Sequence, residues 1–201
     1  MSTNSPIRSV ISPGRYVQGP GALSRLGEYV APIGSTPLLV ADDVVWGFVG
    51  HDVESSLAAV GLPVRREKFN GIPSAAEVDR LVGVVREAGA DVIIALGGGS
   101  TIDAVKSAGH LAGIRWVTVP SVASTDAPTS ALAVIYTEDG AFEEYRFFPR
   151  NPDLVLVDSQ LIANAPAAFL AAGVGDALAT WLEARATSRS NSLTMAGGLP
   201  T

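Results

Sequence analysis

Short apolar, β-branched runs alternate with longer segments of helical periodicity along most of this chain. Pro37 to Ala41 (PLLVA) has the pattern of a buried strand, and Val44 to Val60 that of a helix closed by Gly61 and Pro63. Val64 to Phe69 reads as a second strand. Ser74 to Ala88 reads as a helix, opened by the capping-box sequence Ser74-Ala75-Ala76-Glu77 and ended by Gly89. Asp91 to Leu96 (DVIIAL) is a third strand, Ser100 to Ala112 a helix, and Trp116 to Val119 a fourth strand. Nearly continuous apolar strands separated by helices predict a parallel sheet covered on both faces, with right-handed crossovers. Ligands of such sheets sit beyond the carboxyl ends of the strands.

The pattern changes after Pro120. Ser121 to Pro128 is a hydroxyl-rich loop, and Ala131 to Tyr136 with Phe142 to Phe148 predicts an antiparallel hairpin around Glu138-Asp139-Gly140. Leu154 to Val157 is one more strand. From Ser159 onward the pattern is helical: Pro166 fits a helix start, Gly173 and Gly175 punctuate it, and Asp176 to Arg185 forms a further helix. The expected fold is α/β: a Rossmann-like parallel sheet with a hairpin over residues 1–160, then the start of an all-helical second domain over 161–201. The boundary is expected near Asp158 to Pro166. The last residues, 195–201, contain no closing element, and a helical region that has just begun needs partner helices. The sequence therefore reads as cut off.

Composition narrows the function. Of 201 residues, 47% are hydrophobic and only 17% charged, which excludes a disordered chain. The formal charge of -6, with no basic cluster beyond Arg65, Arg66 and Lys68, argues against nucleic acid or an anionic membrane as partner. The absence of Cys excludes disulfides, thiol catalysis and thiolate metal sites, and suits a cytoplasmic location. The start is polar with no secretory pattern, and no uninterrupted apolar run approaches the ~20 residues that span a bilayer. Apolar residues Leu178, Trp181 and Leu182 point to association, so a homo-oligomer is expected.

Candidate chemistry gathers at the strand ends. Gly97-Gly98-Gly99-Ser100-Thr101 joins a strand to a helix, where free N–H groups and the helix dipole favour an anion. It is neither G-x-G-x-x-G nor a Walker loop, and a plain tight turn with Ser100 as N-cap is the alternative. Asp42 and Asp43 follow the strand Pro37 to Ala41. A carboxylate there either binds an adenosine ribose and repels a 2′-phosphate, favouring NAD over NADP, or caps the next helix. Ser121, Ser124, Thr125 and Asp126 either hold cofactor and substrate or form a self-bonded turn before Pro128. Asp176 is either an acidic helix start or a metal carboxylate. His51 and His110, the only histidines, lack ligand spacing and read as structural or surface residues.

In combination these motifs resemble the glycerol dehydrogenases of the iron-containing alcohol dehydrogenase superfamily. The resemblance rests on Asp42, on Gly97-Gly98-Gly99-Ser100-Thr101-Ile102-Asp103 and on Ser124-Thr125-Asp126-Ala127-Pro128-Thr129-Ser130-Ala131-Leu132 followed by Val134-Ile135-Tyr136. Asn151-Pro152-Asp153 and Gly175-Asp176-Ala177-Leu178-Ala179-Thr180 complete it. It implies oxidation of a small polyol such as glycerol with NAD. It also implies roles: Asp42 on the adenosine ribose; Gly98, Gly99, Ser100 and Asp103 on the pyrophosphate; Ser121 and Ser124 on the cofactor; Ser130, Leu132 and Tyr136 near the nicotinamide. Asp126 would touch substrate, and Asp176 would be a zinc ligand. Ser100 stands where the family often has Lys. The family's two zinc-binding histidines have no counterpart in His51 or His110, so the zinc site is expected to be incomplete in this chain. A non-catalytic NAD-binding module, or a dehydrogenase of another polyol or polyol phosphate, are the alternative readings.

Overall fold

The computed structural model describes residues 11–190, so the expectation about 195–201 lies outside the described residues. Six strands form one parallel sheet: β1 (Tyr16–Gly19), β2 (Pro37–Ala41), β3 (Arg65–Lys68), β4 (Val92–Gly97), β5 (Arg115–Pro120) and β8 (Leu154–Asp158). Their order is β1-β8-β5-β4-β2-β3. β6 (Leu132–Tyr136) and β7 (Phe142–Phe147) pair antiparallel as a separate hairpin, with Leu132 opposite Phe147 and Gly140 at φ 85° in its turn.

The period-two alternation of the strands builds two cores. Leu38, Val40, Ile93 and Ala95 face α3 (Ala75–Ala88) and α4 (Gly99–Ala112). Leu39, Ala41, Ile94 and Leu96 face α1 (Leu26–Val30) and α2 (Asp43–Ala58). The sheet is therefore covered on both faces, as its apolar strands predict. Ser74 caps α3 by accepting from Glu77 N–H. The reciprocal half of the capping box is not made. Glu77 instead accepts from Asn70 and Arg80.

The chain order places the ligand crevice. β2 is followed by β3 on one side, whereas β4 returns to the other side of β2 and leads on to β5. The switch point thus lies between β2 and β4, and the crevice opens beyond Ala41 and Gly97.

Three features differ from the sequence expectation. β1 was not foreseen; it is a short edge strand with one β-branched residue, and it pairs with β8 (Val17 beside Leu156). Asp158 secures this edge. Its carboxylate accepts from Gly21, Leu23, Gln160 and Leu161 N–H, tying the start of the chain to α5 (Ser159–Asn164). Second, α6 (Ala167–Ser190) is one continuous 24-residue helix, so Gly173 and Gly175 do not divide it and Asp176 sits inside it. Third, α6 has the length and apolar composition of a helix able to cross a membrane, the one such helix among the described residues. No residue of α6 is buried, and it approaches the sheet unit closely at Gly173. Gly173 lies so close to the loop after β5 that a Cβ would fall 2.0 Å from the Ala123 carbonyl oxygen.

Burial alone would raise the Asp158 carboxyl, but its four N–H donors outweigh that and hold it below its ordinary value. A depressed folded pKa gives stability that is present above the ordinary Asp range and lost as pH falls through the folded value. Asp158→Ala is expected to cost about 2–3 kcal/mol at neutral pH. The gap from the unsubstituted protein, measured by urea denaturation, should narrow as pH drops below about 4.

Candidate dinucleotide site

A cleft of about 1030 Å³ opens at the switch point. Its walls bring together Asp42, Gly98, Gly99, Ser100, Asp103, Ser124, Asp126, Ser130, Leu132, Tyr136 and Asp176, residues up to 134 positions apart in the chain. Of the residues singled out from the sequence, Ser121 is not on this wall. It is buried, and its N–H donates to the Gly97 carbonyl at 3.0 Å.

The glycine turn begins α4 without a side-chain cap. Gly98, not Ser100, is the N-cap, and it supplies no side-chain acceptor to the first N–H groups. Each glycine has a different reason. At Gly97 a Cβ would lie 2.6 Å from Thr101 Oγ1, so packing within the chain excludes one. At Gly98 the nearest atom to a Cβ is Val122 Cγ2 at 3.7 Å, and at Gly99 it is Thr125 Oγ1 at 3.5 Å. Neither residue has positive φ. The chain's own folding therefore demands no glycine at 98 or 99. What a side chain there would occupy is the cleft, beside uncapped donors at a helix N-terminus. That is the arrangement of a cradle for an anionic group.

Asp42 serves the cap role and also lines the cleft. Its Oδ1 accepts from Val44 N–H at 2.8 Å and Val45 N–H at 2.9 Å, while Oδ2 has no partner among the described residues. Asp43, one residue on, pairs with Arg66 and Lys68 of β3.

The loop from Ser124 to Leu132 is anchored through its carbonyls. Those of Ala127 and Leu132 accept from Lys106 Nζ, that of Pro128 from Thr118 Oγ1, and that of Thr129 from Asn151 Nδ2. Self-bonding comes from Thr125 Oγ1, which accepts from Ala127 N–H, from Thr129, which donates to the Asp126 carbonyl, and from Ser130 Oγ, which lies within reach of the Ala127 and Leu132 carbonyls. The Ser124 hydroxyl and the Asp126 carboxylate make no hydrogen bond or ion pair among the described residues and line the cleft, where the Asp126 charge is felt by Lys106 and Asp103.

Lys106 is the residue that sequence reasoning passed over. It is fully buried, one helical turn from Asp103, and pairs with Asp103 Oδ1 at 3.0 Å. Asp103 Oδ2 accepts from Val134 N–H at 3.2 Å, so the pair joins α4 to the loop and to β6 together. Burial raises the Asp103 carboxyl against the pull of Lys106, and burial lowers the Lys106 ammonium against the pull of Asp103. The Asp-x-x-Lys spacing on a strongly buried helix was the available signal.

No group of three or more His, Cys, Asp or Glu side chains suited to a metal occurs among the described residues. Asp176 reaches the cleft from α6 without such companions. His51 is exposed, and His110 packs on Phe148 with ring centroids 5.1 Å apart.

The pattern of the family described as iron-containing alcohol dehydrogenase matches residues 13–159, which covers the sheet and every cradle residue. This chain belongs to that family. It is 49% identical over 191 residues to a glycerol dehydrogenase of Escherichia coli O6:H1, covering 95% of this chain and 52% of that protein. It is 44% identical over 190 residues to a glycolaldehyde reductase of Halobacterium salinarum, covering 94% and 52%. A solved structure, a probable glycerol dehydrogenase from Sinorhizobium meliloti 1021, superposes with a TM-score of 0.88 at 42% identity, covering 96% of this chain and 52% of that one. The chain thus spans about half the length of the curated relatives it matches.

Proposed function

We propose that this chain carries the NAD-binding half of an NAD-dependent glycerol dehydrogenase, acting on glycerol or a similar small secondary alcohol. The observation that carries this reading is the pair Gly98 and Gly99. Their missing side chains are unexplained by the fold and leave room for a pyrophosphate at the uncapped start of α4. In this reading Gly98, Gly99 and Ser100 hold the pyrophosphate, and Asp42 accepts from the adenosine ribose through Oδ2. Asp103 acts differently from the expectation of direct contact alone: it fixes Val134 and Lys106, and so sets the wall formed by Ser130, Leu132 and Tyr136 beside the nicotinamide. Ser124 donates its hydroxyl to the cofactor, and Asp126 accepts a hydroxyl of the polyol. Bound NAD supplies the hydride acceptor. The chain's own share is orientation of the alcohol beside it and exclusion of water.

Residues 1–160 are the proposed cofactor-binding unit and 161 onward the opening of a helical part. Zinc, with Asp176 as one ligand, is the metal proposed for the complete site. The described residues do not fit a complete metal site, so no step is assigned to a metal here. The same deficit favours a second reading, a module that binds NAD without turnover. The glycolaldehyde reductase likeness supports a small hydroxy-carbonyl substrate as a third.

The first two readings separate in one assay. The chain is mixed with NAD, glycerol and either zinc or ferrous iron, and NADH absorbance is followed. Turnover abolished by Asp126→Asn with NAD binding retained supports the dehydrogenase. NAD binding with no turnover supports the module. No NAD binding contradicts both.

A further inference from the structure

The β2–β3 end of the cleft holds four charged residues. Asp42 and Asp43 open α2, while Arg66 and Lys68 come from β3, where Lys68 is in register with Ala41. Asp43 divides its oxygens between the two cations: Oδ1 accepts from Arg66 Nη2 at 2.5 Å, and Oδ2 pairs with Lys68 Nζ. Arg66 is held in place from another side, its guanidinium 4.9 Å from the Trp46 ring centre, and its buried Nε has no partner. Asp42, Asp43 and Lys68 all line the cleft.

We propose that Asp43 sets the preference for a dinucleotide without a 2′-phosphate, by occupying the two cations that would otherwise bind that phosphate. The inference rests on the dinucleotide reading above, in which Asp42 meets the adenosine ribose. A basic side chain beside that ribose is what accommodates a 2′-phosphate in sheets of this type. Here two such side chains pair with Asp43, the residue after Asp42 in the chain; Lys68 lines the cleft with both carboxylates, and Arg66 adds a guanidinium fork suited to phosphate. With both carboxylates ionised, the two cations are balanced and the cluster is neutral. The hydrogen bonds from Lys68 and then Arg66 hold the Asp43 carboxyl below its ordinary range, so it stays charged at neutral pH. Asp43 and Lys68 are each more than half exposed, and an exposed pair adds little to stability. Removing the Asp43 charge therefore frees both cations, leaves the cluster net positive and spares the fold.

The test is calorimetric titration of the unsubstituted chain, Asp43→Asn, Asp43→Ser and Asp43→Asn/Arg66→Gln with NAD and with NADP. Thermal melts confirm that each is folded. The expected result is that the NADP-to-NAD affinity ratio rises about tenfold or more in both single variants, and that Arg66→Gln reverses much of the gain. An unchanged ratio in both single variants, with NAD still bound by the unsubstituted chain, would overturn this inference and leave the dinucleotide reading standing. Absence of NAD binding by the unsubstituted chain would overturn that reading and this inference with it.

Discussion

Lys106→Met is expected to destabilise this chain by about 3–5 kcal/mol, the cost of leaving a buried carboxylate without its partner. Asp103 is itself buried, and the substitution also removes the ammonium donor shared by the Ala127 and Leu132 carbonyls, leaving them the Ser130 hydroxyl. Against a typical domain stability of about 5–15 kcal/mol this is a large fraction. Burial pushes both groups toward their neutral forms against their mutual attraction, and a buried ion pair is weak evidence for stability. Hence Asp103→Leu/Lys106→Met should cost less than Lys106→Met alone, since no uncompensated charge remains. Urea denaturation of the three proteins checks the ordering. A single variant as stable as the unsubstituted chain would show that the Asp103–Lys106 clamp does not hold the loop.

Gly99→Ala is expected to move stability and binding in opposite directions. Gly99 is the first residue of α4, has no positive φ, and a Cβ there meets only ordinary contacts. The chain should gain roughly 0.4–1 kcal/mol, because alanine restricts the unfolded state more than glycine does. The added methyl group nevertheless takes space in the cradle, where the backbone must approach the pyrophosphate closely. NAD affinity is expected to fall about tenfold, equivalent to ~1.4 kcal/mol. Calorimetric titration paired with a thermal melt reads both effects. Improved stability with unchanged NAD affinity would contradict the cradle, whereas loss of both would show only a damaged turn.

Periodicity made the layered α/β architecture readable because its strands are short, apolar and separated by helices. Pro37–Ala41 and Val92–Gly97 are buried along their whole length, and their composition says so directly. β1 was missed for the same physical reason, whereas β3 was found within Val64 to Phe69 through its apolar flanks. Both lie at edges of the sheet, where half of each strand meets solvent, and β3 is the wholly charged Arg65–Lys68. α6 was split in the sequence reading because Gly173 normally weakens a helix. The structure instead uses its missing Cβ for contact with Ala123.

The candidate site was legible in its residue types but not in their division of labour. Asp42 drew two competing readings, and its two oxygens accommodate both, since only Oδ1 is used by the cap. Ser100 looked like a cap, yet the turn places Gly98 at that position. Lys106 carried no warning beyond its spacing from Asp103, because a lysine in a helix is ordinarily solvated and burial depends on the distant loop that covers it. The grouping of Arg66, Lys68 and Asp43 arises from strand register and could not be read from local sequence.

The central claim is that the cleft beyond β2 and β4 binds a dinucleotide through Gly98 and Gly99. Calorimetric titration of the 201-residue chain with NAD, repeated on Gly99→Ala, tests it most directly. The account predicts one site per chain with Kd below ~1 mM, weakened about tenfold by the added methyl group. No saturable NAD binding up to several times that concentration (~5 mM), by a chain whose thermal melt shows it folded, would contradict it.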